Sequence, residues 1–255
     1  MGKRVVLVRH GDDPPDDRVY TFLVENGFEP VLRRPFAGDR LGEPGQSVAG
    51  TVIYGGGFNA FDAHIHPFLN EEYRWIEACL KADVPMLGIC LGAQQIAFHL
   101  SAKVGPSPGE PAEFGYYEVF PEKGAGEFMP EPVVVTQSHF TFEIPDGAEK
   151  LASSDMFPNQ AFRYGPKVYA IQFHSEVTIE GFRRWQNAPW AMYGKPGAQT
   201  REEQDRLMYE HDARQAEWFY GFLSRLFKDR ADPASQNPAE TPAPFVVQDL
   251  SPSDG

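Results

Sequence analysis

Cysteine is scarce in this chain: Cys79 and Cys90 are the only two among 255 residues. That excludes a disulfide framework of the kind that staples small secreted domains, and it fits a reducing compartment where a thiol stays available for chemistry. A basic surplus is also lacking. The 23 Lys and Arg are outnumbered by 36 Asp and Glu, for a net charge of −13. With no basic stripe to meet a phosphate backbone, nucleic acid is not an expected partner. No apolar run approaches the ~20 residues that span a bilayer, so no membrane association is expected. The amino terminus reads straight into a strand, Arg4-Val5-Val6-Leu7-Val8, and not into a leader. These absences describe a cytoplasmic, soluble protein. Internal repeats are missing as well. Residues 229–255, rich in Pro, Ala, Ser and Asp, read as a flexible tail.

What is present centres on residues 84–100, VPMLGICLGAQQIAFHL. Met86, Leu87, Gly88 and Ile89 form a short apolar run suited to a strand buried on both faces. Cys90 follows at once, and from Ala93 the pattern turns helical, with Leu91, Ile96, Ala97 and Leu100 on about one face. A cysteine on a sharp strand-to-helix turn has the geometry of a nucleophile elbow. Gly88 and Gly92 flank it, where side chains would collide with the turn or with an approaching substrate. The helix N-terminus behind the thiol favours thiolate.

Taken in order, residues 4–8, 29–33, 51–54 and 84–89 read as strands, and 18–26 and 71–82 as helices. Strands alternating with helices imply right-handed crossovers and a mostly parallel sheet with helices on both faces. In such sheets ligands bind beyond the carboxyl ends of the strands. Gly55, Gly56 and Gly57 stand at one such end and Cys90 at another, so both are expected in one site. After the elbow helix the strand-like segments 113–120, 133–137 and 168–173 lie among turn-rich stretches, as in an antiparallel or mixed extension of the sheet. Residues 178–185 and 202–227 are helical, the second heavily charged with Leu207, Trp218, Phe222 and Leu226 along it. His174 closes a predicted strand, and Glu176, two positions on, can orient its imidazole if the strand end turns. Nucleophile, base and orienter are the parts of a covalent acyl-transfer site.

The run Gly88-Ile89-Cys90-Leu91-Gly92-Ala93-Gln94 resembles the nucleophile motif of class I glutamine amidotransferases, G-x-C-x-G-x-Q. Gln172-Phe173-His174-Ser175-Glu176 resembles that family's histidine–glutamate element. The similarity covers roughly residues 4–186 and is greatest to stand-alone members like the glutaminase domain of GMP synthase. It implies an α/β, flavodoxin-like fold of the class I glutamine amidotransferase type with a nucleophile elbow. It also implies one amidotransferase domain over 1–228, with a core at 4–186 and a helical extension at 187–228, before the 229–255 tail. The implied triad is Cys90, His174 and Glu176. The implied oxyanion hole uses the backbone N–H groups of Gly56 and of Leu91, where glycine allows close approach to the developing charge. At Gly57 the family usually carries proline. Gln94, one helical turn past Cys90, is implied to hold the substrate glutamine, together with Ser138, His139 and Phe140 of the glutamine-binding loop. At Phe140 the GMP synthase domains have a small residue.

The function implied is that of an enzyme, hydrolysis of the glutamine γ-carboxamide through a Cys90 thioester to give glutamate and ammonia. The chain shows no phosphate loop and too few residues after 186 for an ATP-pyrophosphatase, so a separate synthetase partner is the expected acceptor. The alternative is a γ-glutamyl peptide or amide hydrolase using the same triad. A non-catalytic regulatory role is a third reading, against which the intact Cys–His–Glu set weighs. Two elements offer themselves for docking, the Trp-bearing segment 185–193 and the apolar face of the C-terminal helix. Neither cofactor nor metal is expected: His64 and His66 make an H-x-H pair without further ligands and read as a loop feature. Phe114, Gly115, Tyr116 and Tyr117 read as core or pocket wall.

Overall fold

The computed structural model describes residues 3–106, 109, 111–137 and 140–228; the expected tail and two of the substrate-loop residues, Ser138 and His139, lie outside them. The first strand, β1 (Arg4–Val8), sets the architecture. Val5 and Leu7 join one buried cluster and Val6 and Val8 another, on the opposite face. A strand apolar at successive positions must be covered on both sides. The elements that follow are α1 (Arg18–Glu25), β2 (Glu29–Arg33), β3 (Val48–Ile53), α2 (Phe68–Lys81), β4 (Met86–Ile89) and α3 (Leu91–His99). Next come β5 (Val104–Pro106), β6 (Gly115–Pro121), β7 (Val133–Gln137), β8 (Phe140–Phe142), β9 (Ala148–Ser153), β10 (Ala161–Tyr164) and β11 (Val168–Ile171). Two helices, α4 (Ile179–Gln186) and α5 (Arg201–Phe227), complete the order.

One nine-stranded sheet runs β2-β1-β3-β4-β11-β10-β9-β6-β7, and β5 pairs with β8 apart from it. From β2 to β11 the pairing is parallel. Beyond β11 it is antiparallel. The mixed sheet read from the sequence is therefore present, and it contains β9 and β10, which the sequence reading left in turn-rich segments. Helices α1 and α5 contribute to the cluster on one face, α2 and α3 to that on the other. In register, Ile89 of β4 stands opposite Ile171 of β11, and Ile53 of β3 opposite both Gly88 and Val8. The chain segments after β1, β3, β4 and β11 thus leave the sheet along one edge.

Helix α5 differs from its sequence reading. Thr200 and Glu203 close its N-terminus with a capping box. Phe219, Phe222, Leu223, Leu226 and Phe227 are buried in the same cluster as Val5, Leu7 and Leu87. The apolar face that offered itself for docking is covered by this chain's own sheet. No helix among the described residues is long and apolar enough to cross a membrane.

Candidate active site

Cys90 lies between β4 and α3 with φ 52° and ψ −107°, a strained conformation for a residue with a side chain. Its backbone N–H donates to Ile171 O at 2.8 Å, and its own carbonyl accepts from Gln94 N at 3.0 Å. The turn is tight enough to dictate its neighbours. A Cβ on Gly88 would lie 2.6 Å from the Gly92 carbonyl, and one on Gly92 only 2.0 Å from Ile53 O. Both glycines are steric requirements of the elbow. Helix α3 is buried on all sides from Leu91 to Ala97, more than the single apolar face read from the sequence.

His174 follows β11 and is brought beside Cys90 because β11 is the parallel neighbour of β4. The Cys90 thiol and the His174 imidazole share a hydrogen bond. On the other side, His174 Nδ1 is 2.7 Å from Glu176 Oε1. His174 is 5 % and Glu176 4 % exposed. Burial by itself works against the imidazolium, but the charges of Glu176 and of a Cys90 thiolate overcome it and push His174 up to about 10. The Trp185 ring meets the imidazole edge-on, at 4.7 Å between centroids and 88°.

The turn that carries Glu176 is clamped by Arg18 of α1. Arg18 N donates to Glu176 O at 2.8 Å, and Arg18 Nη1 donates to Ser175 O at 3.0 Å and to Val177 O. The other arm, Nη2, holds Asp212 of α5 at 2.5 Å. Nearby, Asp17 caps α1 through Tyr20 N and accepts from the Tyr54 hydroxyl at 2.8 Å. Burial raises the Asp17 carboxyl despite Arg9 Nη1 at 3.5 Å.

The glycine loop after β3 closes the site. A Cβ on Gly55 would lie 2.7 Å from His174 Cε1 and 3.2 Å from Cys90 Cβ. One on Gly56 would lie 2.4 Å from His10 Cβ and 3.4 Å from Leu91 Cδ2. Gly57 faces open space, so glycine is not sterically required where the family usually has proline. Leu91 opens α3, where a backbone N–H has no partner within the helix. His10, which follows β1, backs Gly56. Its Nε2 is 3.0 Å from Glu72 Oε2 of α2, and Gln95 Nε2 of α3 donates to the same oxygen at 2.5 Å. The His10 and Glu72 side chains are fully buried.

A cavity of about 640 Å³ opens over these groups, with Cys90, His174, Gly55, Gly56 and Gly57 in its wall. Of the substrate residues expected from the sequence, Gln94 is buried and its side-chain amide donates to Gln172 Oε1 at 3.1 Å. Phe140 opens β8 opposite Pro106. Phe114 lines the cavity and Tyr116 packs with it in a core cluster. His66 makes an edge contact with Phe58 at 4.9 Å, and among the described residues no three His, Cys, Asp or Glu gather as a metal set would.

The sequence reading missed His10, Glu72, Gln95 and Arg18, and it read Trp185 as part of a docking segment, whereas its ring stands against His174 in the cavity wall. Arg9 and His10 carried a signal: they stand beyond a parallel strand's carboxyl end, as Gly55 and Cys90 do. Glu72 and Gln95 carried a weaker one, as polar residues at buried helix positions.

The model of the class-I glutamine amidotransferase family matches residues 30–184. The chain belongs to that family. Its relatives include a glutamine-hydrolysing GMP synthase component from Methanocaldococcus jannaschii, 31 % identical over 140 residues, which are 53 % of this chain and 68 % of that relative. The GMP synthase of Porphyromonas gingivalis is 28 % identical over 145 residues, 54 % of this chain, and the match spans only 27 % of that longer protein. Among solved structures, a glutamine amidotransferase of Thermotoga maritima superposes with a TM-score of 0.79 at 26 % identity, covering 89 % of this chain and 99 % of that one. These likenesses agree with an α/β amidotransferase fold and with a resemblance to the glutamine-hydrolysing component of GMP synthase.

Proposed function

We propose that this amidotransferase-family chain hydrolyses the γ-carboxamide of glutamine through a γ-glutamyl thioester on Cys90. The observation that carries the reading is the hydrogen-bonded order Cys90–His174–Glu176 on a strained elbow; the reading assigns it a thiolate and an imidazolium. Cys90 Sγ attacks the amide carbon. In this reading the oxyanion is received by the Gly56 and Leu91 N–H groups. His174 gives its proton to the departing ammonia, then takes one from the water that splits the thioester, and Glu176 keeps the imidazole oriented and its cation stabilised. Gln94, Ser138, His139 and Phe140 hold the amino-acid end of the substrate in this reading.

Ammonia loses its nucleophilicity when protonated in bulk water, so a separate acceptor enzyme is the partner. The relatives that are components of a glutamine-hydrolysing synthase support this. Residues 1–228 act as one domain, and a reducing cytoplasm keeps Cys90 a thiol. The test is release of glutamate and ammonia from L-glutamine by the purified chain, with Cys90→Ser as control. Turnover that survives Cys90→Ser overturns the reading.

A second reading, a γ-glutamyl amide or peptide hydrolase with the same acyl chemistry, is favoured by one specific observation, the extent and lining of the cavity.

A further inference from the structure

The cavity is larger than ammonia release requires. Its volume of about 640 Å³ falls in the range of roughly 300–1,000 Å³ that houses drug-sized ligands. A γ-glutamyl group seated on Cys90 occupies only the inner end. The departing nitrogen takes its proton from His174, so any substituent on that nitrogen lies past the imidazole. That side of the site is aromatic. Trp185 contacts the imidazole edge-on; Trp190 is 5.7 Å from Trp185 and 6.5 Å from Phe114, between ring centroids. Tyr193 is 5.4 Å from Phe114. All four rings line the cavity, and Trp190 remains 55 % exposed.

The wall is built in advance. Residues 187–200 join α4 to α5 through successive turns, Ala191 N to Ala188 O, Lys195 N to Met192 O and Ala198 N to Lys195 O. The connection is tied to the run into β6 by Ala112 N to Pro196 O at 2.8 Å and Gln199 N to Phe114 O at 3.2 Å. Gln199 Nε2 also donates to Tyr116 O at 2.6 Å, and the Tyr193 hydroxyl to Gln204 Oε1 at 3.0 Å. A pre-organised aromatic wall gives a bound ring its contacts without first ordering a loop. Ammonia has no apolar surface to bury there.

We propose that Phe114, Trp185, Trp190 and Tyr193 form a leaving-group subsite, and that the preferred substrate is a γ-glutamyl amide whose nitrogen carries an aromatic group. The inference deepens the second reading, a γ-glutamyl amide hydrolase, and rests with both readings on Cys90 as the γ-glutamyl acceptor. The Cys90 Sγ–carbon bond forms as the carbon–nitrogen bond breaks, and the nitrogen leaves as the free amine with the proton from His174. Water then cleaves the thioester, returning one proton to the Cys90–His174 pair and releasing glutamate.

The experiment compares kcat/KM for L-glutamine, γ-glutamyl methylamide and γ-glutamyl benzylamide with the purified full chain. The benzylamide should exceed the methylamide and glutamine at least ten-fold. Trp190→Ala removes an exposed ring, and it should lower the benzylamide value at least ten-fold more than the methylamide value. Equal rates for the two amides, or an equal loss for both in the variant, overturn the subsite. Glutamine turnover that rises with a synthetase in cell extract and loses that rise in Trp190→Ala, with no benzylamide preference, overturns it in favour of protein docking on this wall. Absence of turnover for all three compounds, with Cys90 unmodified by a glutamine-like electrophile, instead removes the parent reading.

Discussion

Gly56 lies against His10 so closely that a Cβ on the glycine would come within 2.4 Å of His10 Cβ. His10 has no room to yield, because its ring is fixed to Glu72 in a fully buried pair. Gly56→Ala must therefore push the loop outward, which in the proposed mechanism draws its N–H away from the oxyanion. Loss of one such donor costs about 10²–10³-fold in kcat. Alkylation of Cys90 by iodoacetamide needs no oxyanion hole and should keep its rate. A variant that loses alkylation and turnover together would show that the loop supports the elbow itself.

The two thiols should differ sharply. Cys79 is fully buried in the cluster under α2, and burial raises its thiol well above the ordinary range. Cys90 borders the cavity beside His174. A glutamine-like electrophile should label Cys90 and spare Cys79, read by mass spectrometry of the modified peptides. Label found mainly on Cys79 would remove Cys90 from its role.

The proposed thiolate–imidazolium pair predicts a pH profile. His174 is held at about 10, against 6.5 for a free histidine, so the folded chain binds a proton there that the unfolded chain has lost. Its stabilising contribution is complete below about 6.5 and declines as pH rises through about 10. In the proposed mechanism turnover needs the imidazolium, and it should fall over the same alkaline limb. Alkylation of Cys90 should already be fast near pH 6.5, where an ordinary thiol of pKa ~8.5 is protonated. His174→Ala should abolish that low-pH reactivity and cut turnover by several orders of magnitude. Glu176→Gln should cost less and should move the alkaline limb to lower pH, because Glu176 is the foremost charge raising His174.

Arg18 joins α1, α5 and the turn of Glu176 through a side chain only 4 % exposed. Removing it strands Asp212 and two carbonyls. Arg18→Ala should destabilise the fold by about 3 kcal/mol in chemical denaturation. Arg18→Lys should restore little, since an ammonium cannot spread donors across three acceptors as the guanidinium fork does. Full stability in either variant would mean that the clamp is replaceable.

Local information determined the elbow and much of the sheet. The bounds of β1, β2 and β7 match the sequence reading, because apolar runs between turn residues specify buried strands without distant help. Gly88 and Gly92 declared a strand-to-helix turn around Cys90 because a Cβ at either would strike the neighbouring backbone. The tertiary structure decided what such patterns leave open. Ala148–Ser153 and Ala161–Tyr164 have little strand character alone, and they became strands because β11 and β6 offered them edges to pair with. The apolar stripe of α5 reads the same whether a partner or the chain's own sheet covers it; periodicity reports which face is apolar and not what lies against it. His10, Glu72 and Gln95 come from three separate parts of the chain, and Phe114 is brought from far along the chain to Trp190, which lies close to Trp185 in sequence. Their meeting depends on sheet order and crossovers, a long-range property that no local pattern in the sequence carries.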